Sequence, residues 1–516
     1  MSEFTETIAK AYAVDGPAVA LGCGVHDGAV DQGAIVQAPL SMINRHGLIA
    51  GATGTGKTKT AQGLAEQLSA AGVPVVIADV KGDVSGLAAA GDPAGGASKR
   101  AAELGMPFAP TAFPVEYLSV GGIGPGVPIR ATISDFGPQL LAKVLGANET
   151  QEQSLQLVFH YADGKGLPLL DLSDLRAMLT YLSSDEGKPE LEGIGGLSTA
   201  TVGVLLRALI GLEDGGGTEF FGEPQLDVTD LLRTAPDGRG VISVVELPAV
   251  QERPALWSTA LMWLVAELFE TLPEAGDLPK PKLVVFLDEA HLLFHDASDA
   301  FVSSIEQTVR LIRSKGVGVF FITQTPKDLP SSVLAQLGNR VQHALRAFTP
   351  EDAKALKATV STFPKSDLYD LEELLPTLGI GEAVVTILDD NGVPTPVVHA
   401  KLPAPQSRMG PADDVDATAK ASPLFAKYGT RVDSQSAREI LAARMQANAD
   451  AAAEAKTAGP APAAPAPRAP KAPKAPPAPR HESPTEAIGD FLNSRQGKAL
   501  QRQVVRGVFG LLRKKL

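Results

Sequence analysis

Eight consecutive residues, Gly51-Ala52-Thr53-Gly54-Thr55-Gly56-Lys57-Thr58, carry the spacing G-x-x-x-x-G-K-[ST]. Such a loop wraps tightly and aims successive backbone N–H groups at phosphate oxygens; side chains at the glycine positions would block the approach. The pattern follows an apolar run and precedes helical periodicity over Thr60 to Ala70, the context in which it predicts a nucleotide site. There Lys57 would sit against the β- and γ-phosphates of ATP, and the Thr58 hydroxyl would ligate Mg²⁺. The spacing differs from G-x-G-x-x-G, which argues against a dinucleotide fold.

A second run, Leu283 to Leu287, ends in Asp288-Glu289. A hydrolytic phosphate-loop enzyme needs one carboxylate to hold Mg²⁺ through its water shell and another to polarise the attacking water, roles that suit Asp288 and Glu289. The pair favours ATP hydrolysis coupled to work over phosphoryl transfer to a small molecule. A third run, Val317 to Thr323, ends at Gln324, which could sense the γ-phosphate if its strand neighbours that of Asp288; the plainer reading is an amide capping a turn before Pro326. A site at a subunit boundary also needs an arginine from the next subunit, and Arg45, Arg310, Arg313, Arg340 and Arg346 are candidates. His291 and His295 have helical i, i+4 spacing, but the sequence offers no further zinc ligand cluster beside them.

These groups need a scaffold. Short Val/Ile-rich runs at His46 to Ala50, Val73 to Asp79, Val241 to Leu247, Lys282 to Asp288, Val317 to Thr323 and Val341 to Leu345 alternate with helical stretches. That is the pattern of an α/β fold with a parallel sheet covered on both faces. A mostly helical insertion is expected at about residues 85–238, with helical periodicity at Glu152 to Tyr161 and Leu169 to Leu182. The domain boundaries expected are a short β-rich segment over 1–45, an ATPase domain over 46–410, a helical extension over 411–449, a linker over 450–482 and a basic amphipathic helix over 483–516. The linker is nearly all Ala, Pro, Lys and Arg, too poor in apolar surface to order itself. The final segment could lie on a membrane surface, grip phosphate, or dock on a partner or on its own acidic body.

The 516 residues suggest two or three units, and 44% hydrophobic with 20% charged residues excludes wholesale disorder or a fibrous fold. A net charge of −13 argues against a surface that coats nucleic acid. It is an average of unlike parts: from residue 450 on, twelve Lys/Arg face five Asp/Glu, a net of +7, which leaves −20 for residues 1–449. Cys23 has no partner for an internal disulfide. With a polar, acidic-leaning start and no apolar run of membrane-spanning length, the expected compartment is the cytoplasm.

Taken together, HGLIAGATGTGKT (46–58), VVIADVKGD (75–83), LVVFLDEAHLLF (283–294), IRSKGVGVFFITQTP (312–326) and QLGNRVQHALRAFTP (336–350) resemble the HerA-FtsK superfamily of P-loop ATPases, in particular its bacterial HerA-like group. The likeness spans roughly residues 15–410. It implies a RecA-like core that forms a ring, usually a hexamer, with ATP between subunits and DNA in the channel; a nuclease is one possible protein partner. It also implies that Arg313 is the intersubunit finger, with Arg45 next. Two departures matter. Many members read Q-R-P where this chain has Gln324-Thr325-Pro326, and the segment ahead of the P-loop is too short for a full β-barrel, so Ala13 to Pro39 is at most a reduced one. The expected function is an ATP-dependent DNA translocase or helicase; the alternative is a nucleotide-switched scaffold acting on a protein or membrane through the basic tail.

Overall fold

The computed structural model describes residues 2–294 and 299–457. By contacts the chain divides into Met1–Ala449 and Asp450–Leu516. The first unit is built on one sheet of twelve strands. In chain order these are β1 (Ala18–His26), β2 (Ala29–Pro39), β3 (Gly47–Ala50), β4 (Val75–Asp79), β5 (Val115–Val120), β6 (Val127–Ile129), β7 (Ile242–Glu246), β8 (Leu283–Leu287), β9 (Val317–Thr323), β10 (Asn339–Gln342), β11 (Glu382–Thr386) and β12 (Val398–Lys401). Their order across the sheet is β2-β1-β12-β11-β10-β3-β9-β8-β4-β7-β5-β6.

From β10 to β6 all neighbours are parallel, and β3, β4, β7, β8 and β9 are buried along their whole length. Continuous Val/Ile/Leu/Phe runs suit strands with both faces covered. Helices Lys57–Ala70 and Pro254–Thr271 help cover them, the second burying Trp257 and Trp263. From β10 to β2 the sheet is antiparallel, so the parallel core that the sequence pattern predicts is continued by an antiparallel extension, giving a mostly parallel mixed sheet. Ahead of β3 the chain forms an opening helix, Glu3–Ala11, and then β1 and β2. These two strands form no separate barrel: β1 pairs with β12, Cys23 opposite Lys401, and extends the main sheet.

The stretch 85–238 holds the helices expected, Glu149–Lys165 and Leu172–Ser183, each opened by a capping box at Asn148 or Asp171. It also supplies β5 and β6, so it is not only helical. VEYLSV has the β-branched and aromatic content of a buried strand, but in isolation is too short to show a period. Helices Val415–Ala421 and Pro423–Tyr428 pack beside β5 and β6. Residues 450–457 are helical, the last part of Ala437–Thr457, an Ala-rich run without proline. The rest of the linker, the basic segment 483–516 and His295 lie outside the described residues.

Candidate nucleotide site

Parallel register decides which loops meet. Ala50 lies opposite Thr323, Leu287 opposite both Phe321 and Ala78, so β3, β9, β8 and β4 end along one edge. β9 sits between β3 and β8. This sets the loop after β3 and the carboxylates after β8 two strand spacings apart, about 10 Å, room for a phosphate and a water.

The loop after β3 has the backbone its glycines permit. Gly51, Gly54 and Gly56 have φ of 151°, 79° and 112°. A Cβ on Gly51 would lie 2.5 Å from His343 Cβ, and one on Gly56 3.3 Å from Gly381 N. Gly56 caps helix Lys57–Ala70 without a side-chain hydrogen bond, leaving the helix N-terminus able to take an anion. Gly51 N–H donates to Gln324 O at 3.1 Å and Ala52 N–H to Ala344 O at 2.8 Å, so the loop is anchored to the strands on either side. Lys57 is 6% exposed, and its Nζ donates to Gly51 O at 2.7 Å and Ala52 O at 3.2 Å. Burial holds its pKa below the usual lysine range, an effect that Glu289 and Asp288 oppose. Ala52, Thr53 and Thr55 complete the turn, Thr55 Oγ1 donating to Ala52 O, and Thr58 is half-buried beside Lys57.

Past β8, Asp288 Oδ1 accepts from Glu289 N–H at 2.9 Å, while Oδ2 is buried with no hydrogen-bond partner among the described residues. Burial first, and Glu289 second, push the Asp288 pKa up to about 7. A divalent cation held there and at the Thr58 hydroxyl would offset both effects, so these residues fit Mg²⁺. Glu289 adopts a left-handed backbone, φ 46°, ψ 42°, a costly conformation for a non-glycine residue. Its Oε1 accepts from Lys81 Nζ at 2.5 Å; its Oε2 is buried without a hydrogen bond, with His291 Nδ1 3.4 Å away but poorly aligned.

Gln324 is exposed at the end of β9, beside the strand of Asp288 as its sensing role requires, and its backbone carbonyl meets the loop. The arginines lie elsewhere. Arg45 precedes β3 and Arg313 precedes β9, so both stand at the opposite edge from the loop that follows β3. With Arg310 and Arg340 they line a cavity of about 600 Å³. The Arg340 guanidinium donates to the carbonyls of Leu337, Thr362 and Leu334, and that of Arg346 to those of Pro376 and Leu378, so these two candidates are spent on their own chain. Arg45 has only a 3.9 Å approach to the fully exposed Asp277, and burial beside Arg45 lowers the Arg313 pKa.

Three participants escaped the sequence reading. His343 is fully buried under the loop, its Nε2 3.0 Å from Thr60 Oγ1; burial and the Lys57 charge depress it to about 3, so it is a neutral prop. Gly381 N–H donates to Thr55 O at 3.0 Å. Lys81 lies within VVIADVKGD (75–83), one of the strings that carry the resemblance, but its partner Glu289 is 208 residues away.

The family described as helicase HerA-like C-terminal matches residues 26–516. A probable helicase of Methanocaldococcus jannaschii is 28% identical over 154 residues, 28% of this chain and 28% of that protein, so the match spans little more than a quarter of either. Among solved structures, the bacterial conjugative coupling protein TrwB in an unbound form aligns with a TM-score of 0.51 at 17% identity, covering 79% of this chain and 95% of that one. TrwB in complex with ADP and Mg²⁺ gives 0.51 at 16%, covering 78% and 98%. At such identities the likeness is one of fold, that of a P-loop NTPase.

Proposed function

Since the chain belongs to the helicase HerA-like C-terminal family, we propose that it is an ATP-hydrolysing motor that moves DNA through a homo-oligomeric ring, a hexamer. In this reading residues 51–58 bind the phosphates, with Lys57 leaving the Gly51 and Ala52 carbonyls for phosphate oxygens. Asp288 and Thr58 hold Mg²⁺, whose charge offsets that of the phosphates when it is bound. Glu289 accepts a proton from the attacking water, Gln324 senses the γ-phosphate, and Arg313, with Arg45 next to it, completes the site of a neighbouring subunit. The observation that carries the hydrolytic part is the meeting of loop, Asp288 and Glu289 at one sheet edge, with a carboxylate oxygen of each buried and without a hydrogen bond among the described residues. The TrwB complex with ADP and Mg²⁺ supports the choice of ligand, and the likeness to a probable helicase of M. jannaschii supports DNA as the substrate.

The test is ATP turnover with and without double- and single-stranded DNA, for the full chain and for a chain ending at Ala449. DNA stimulation in both supports the motor. No stimulation in either, with liposome binding by the full chain only, supports the scaffold reading instead and overturns the motor. Lys57→Ala is expected to lower turnover by at least about 10²-fold through lost charge stabilisation; a variant that hydrolyses at the wild-type rate refutes the site. A mass measurement with and without ATP reads the ring, and pull-down reads a nuclease partner. Fractionation tests a cytoplasmic location; among the described residues no helix is long and apolar enough to cross a membrane.

A further inference from the structure

Lys81 stands two residues beyond the end of β4 and Glu289 two beyond the end of β8, on strands that are immediate parallel neighbours. Their 2.5 Å contact is a charge-assisted hydrogen bond, with the Glu289 side chain 8% and Lys81 40% exposed. The turn that launches Lys81 is fixed. Asp79 is fully buried, and its carboxylate accepts the backbone N–H groups of Lys81 at 3.2 Å, Gly82 at 2.8 Å and Val84 at 3.0 Å. Gly82 takes φ of 74°, and a Cβ there would lie 3.1 Å from Pro248 Cγ, so the turn admits no easy alternative.

We propose that Lys81 is the positioning residue for Glu289: by occupying Oε1 it turns the other oxygen, Oε2, toward the attacking water. This rests on the reading of Glu289 as the group that polarises water. A carboxylate on a two-carbon stem presents either oxygen in several rotamers. Tying one oxygen to a lysine on a braced turn leaves Oε2 as the acceptor and removes the rotamers that would face away. The strained backbone of Glu289 and the braced turn of Lys81 belong to the same device: both ends of the contact are held by their own chain segments before substrate arrives.

The experiment uses the full chain and its DNA-free turnover, so that it does not depend on DNA being the substrate. Lys81→Met, Lys81→Arg, Glu289→Gln and the Lys81→Met/Glu289→Gln double variant are compared with wild type for kcat and KM. Affinity for a fluorescent ADP, read beside thermal unfolding, shows that each variant is folded. Lys81→Met is expected to lower kcat by about 10²-fold, with KM and ADP affinity within about twofold; Lys81→Arg, which keeps a donor, recovers about tenfold of that. The double variant is expected to be no slower than Glu289→Gln, since Lys81 acts through Glu289. A matching loss of ADP affinity makes Lys81 a phosphate contact and overturns the proposal, as does a double variant slower by the full single-variant factor. Faster turnover in Lys81→Met makes the pair a restraint and also overturns it. A Glu289→Gln chain as fast as wild type refutes the hydrolytic reading beneath it, whereas a slow Glu289→Gln beside an unaffected Lys81→Met refutes only the role of Lys81.

Discussion

Where β3, β8 and β4 end, Lys57, Asp288, Glu289 and Lys81 crowd together within one chain; where β3 and β9 begin, Arg45 and Arg313 line a cavity whose one near carboxylate among the described residues is the exposed Asp277. Parallel strands cause the asymmetry. From β10 to β6 every strand points the same way, so there one edge collects the loops that follow strands and the other those that precede them. A four-residue β3 still separates Arg45 from the loop by the width of the sheet, more than 10 Å at about 3.3 Å per residue. Arg45 therefore cannot serve the loop of its own chain. The phosphate loop and both carboxylates thus share one edge of a single chain, while Arg45 and Arg313 stand at the other.

The sharpest way to break that contrast is Arg313→Ala. If Arg313 completes a neighbour's site, turnover falls by about 10³ to 10⁵-fold, while ADP affinity holds. Co-assembled Arg313→Ala and Lys57→Ala chains then recover part of the activity, since some interfaces pair an intact loop with an intact arginine. Absence of recovery in mixed rings sinks the intersubunit role.

A smaller effect is expected on the loop edge from removing the neutral prop. His343→Ala leaves a cavity beneath Gly51 and strips the Thr60 hydroxyl of its partner. The cost is about 2 to 4 kcal/mol of stability, read by urea unfolding. Nucleotide affinity is expected to weaken with it; unchanged affinity would separate His343 from the loop.

The smallest effect belongs to Glu246, buried beside Asp79 at the end of β7. Burial, then the charge of Asp79, raises its pKa from 4.5 to about 8. Between those values the folded chain holds a proton that the unfolded chain has lost, so this group makes stability fall as pH rises through the window. Glu246→Gln removes the dependence. We expect it to be more stable than wild type at pH 8.5 and equal to it near pH 4, as thermal unfolding at the two pH values would read. Equal melting at both would mean that this edge is wetter than its burial indicates.

Much of the loop edge was legible in the sequence because its parts are local. The residues of 51–58 are contiguous, Asp288 and Glu289 end an apolar run, and Val317 to Thr323 is β9 to the residue. Four strands toward the two margins of the sheet, β11, β12, β5 and β6, were not, because they are short and their periods cannot be told from loops or helix fragments. Lys81 was visible within VVIADVKGD (75–83) but had no stated task, since a contact across 208 residues leaves no mark in spacing. His343 had no signal at all: a lone histidine after a strand reads like any other.

By itself, then, the sequence determined the chemistry available: a loop that only glycines can wrap, a lysine and a hydroxyl at its end, and two carboxylates closing a buried strand. These follow from backbone sterics and apolar patterning, which act over a few residues. Tertiary structure alone decided which groups meet and which stay apart. Strand order put β9 between the loop and the carboxylates, parallel neighbours brought Lys81 to Glu289, and strand direction sent Arg45 and Arg313 to the far edge. Pairing order and direction come from how the whole sheet packs, and no short window of residues holds that information.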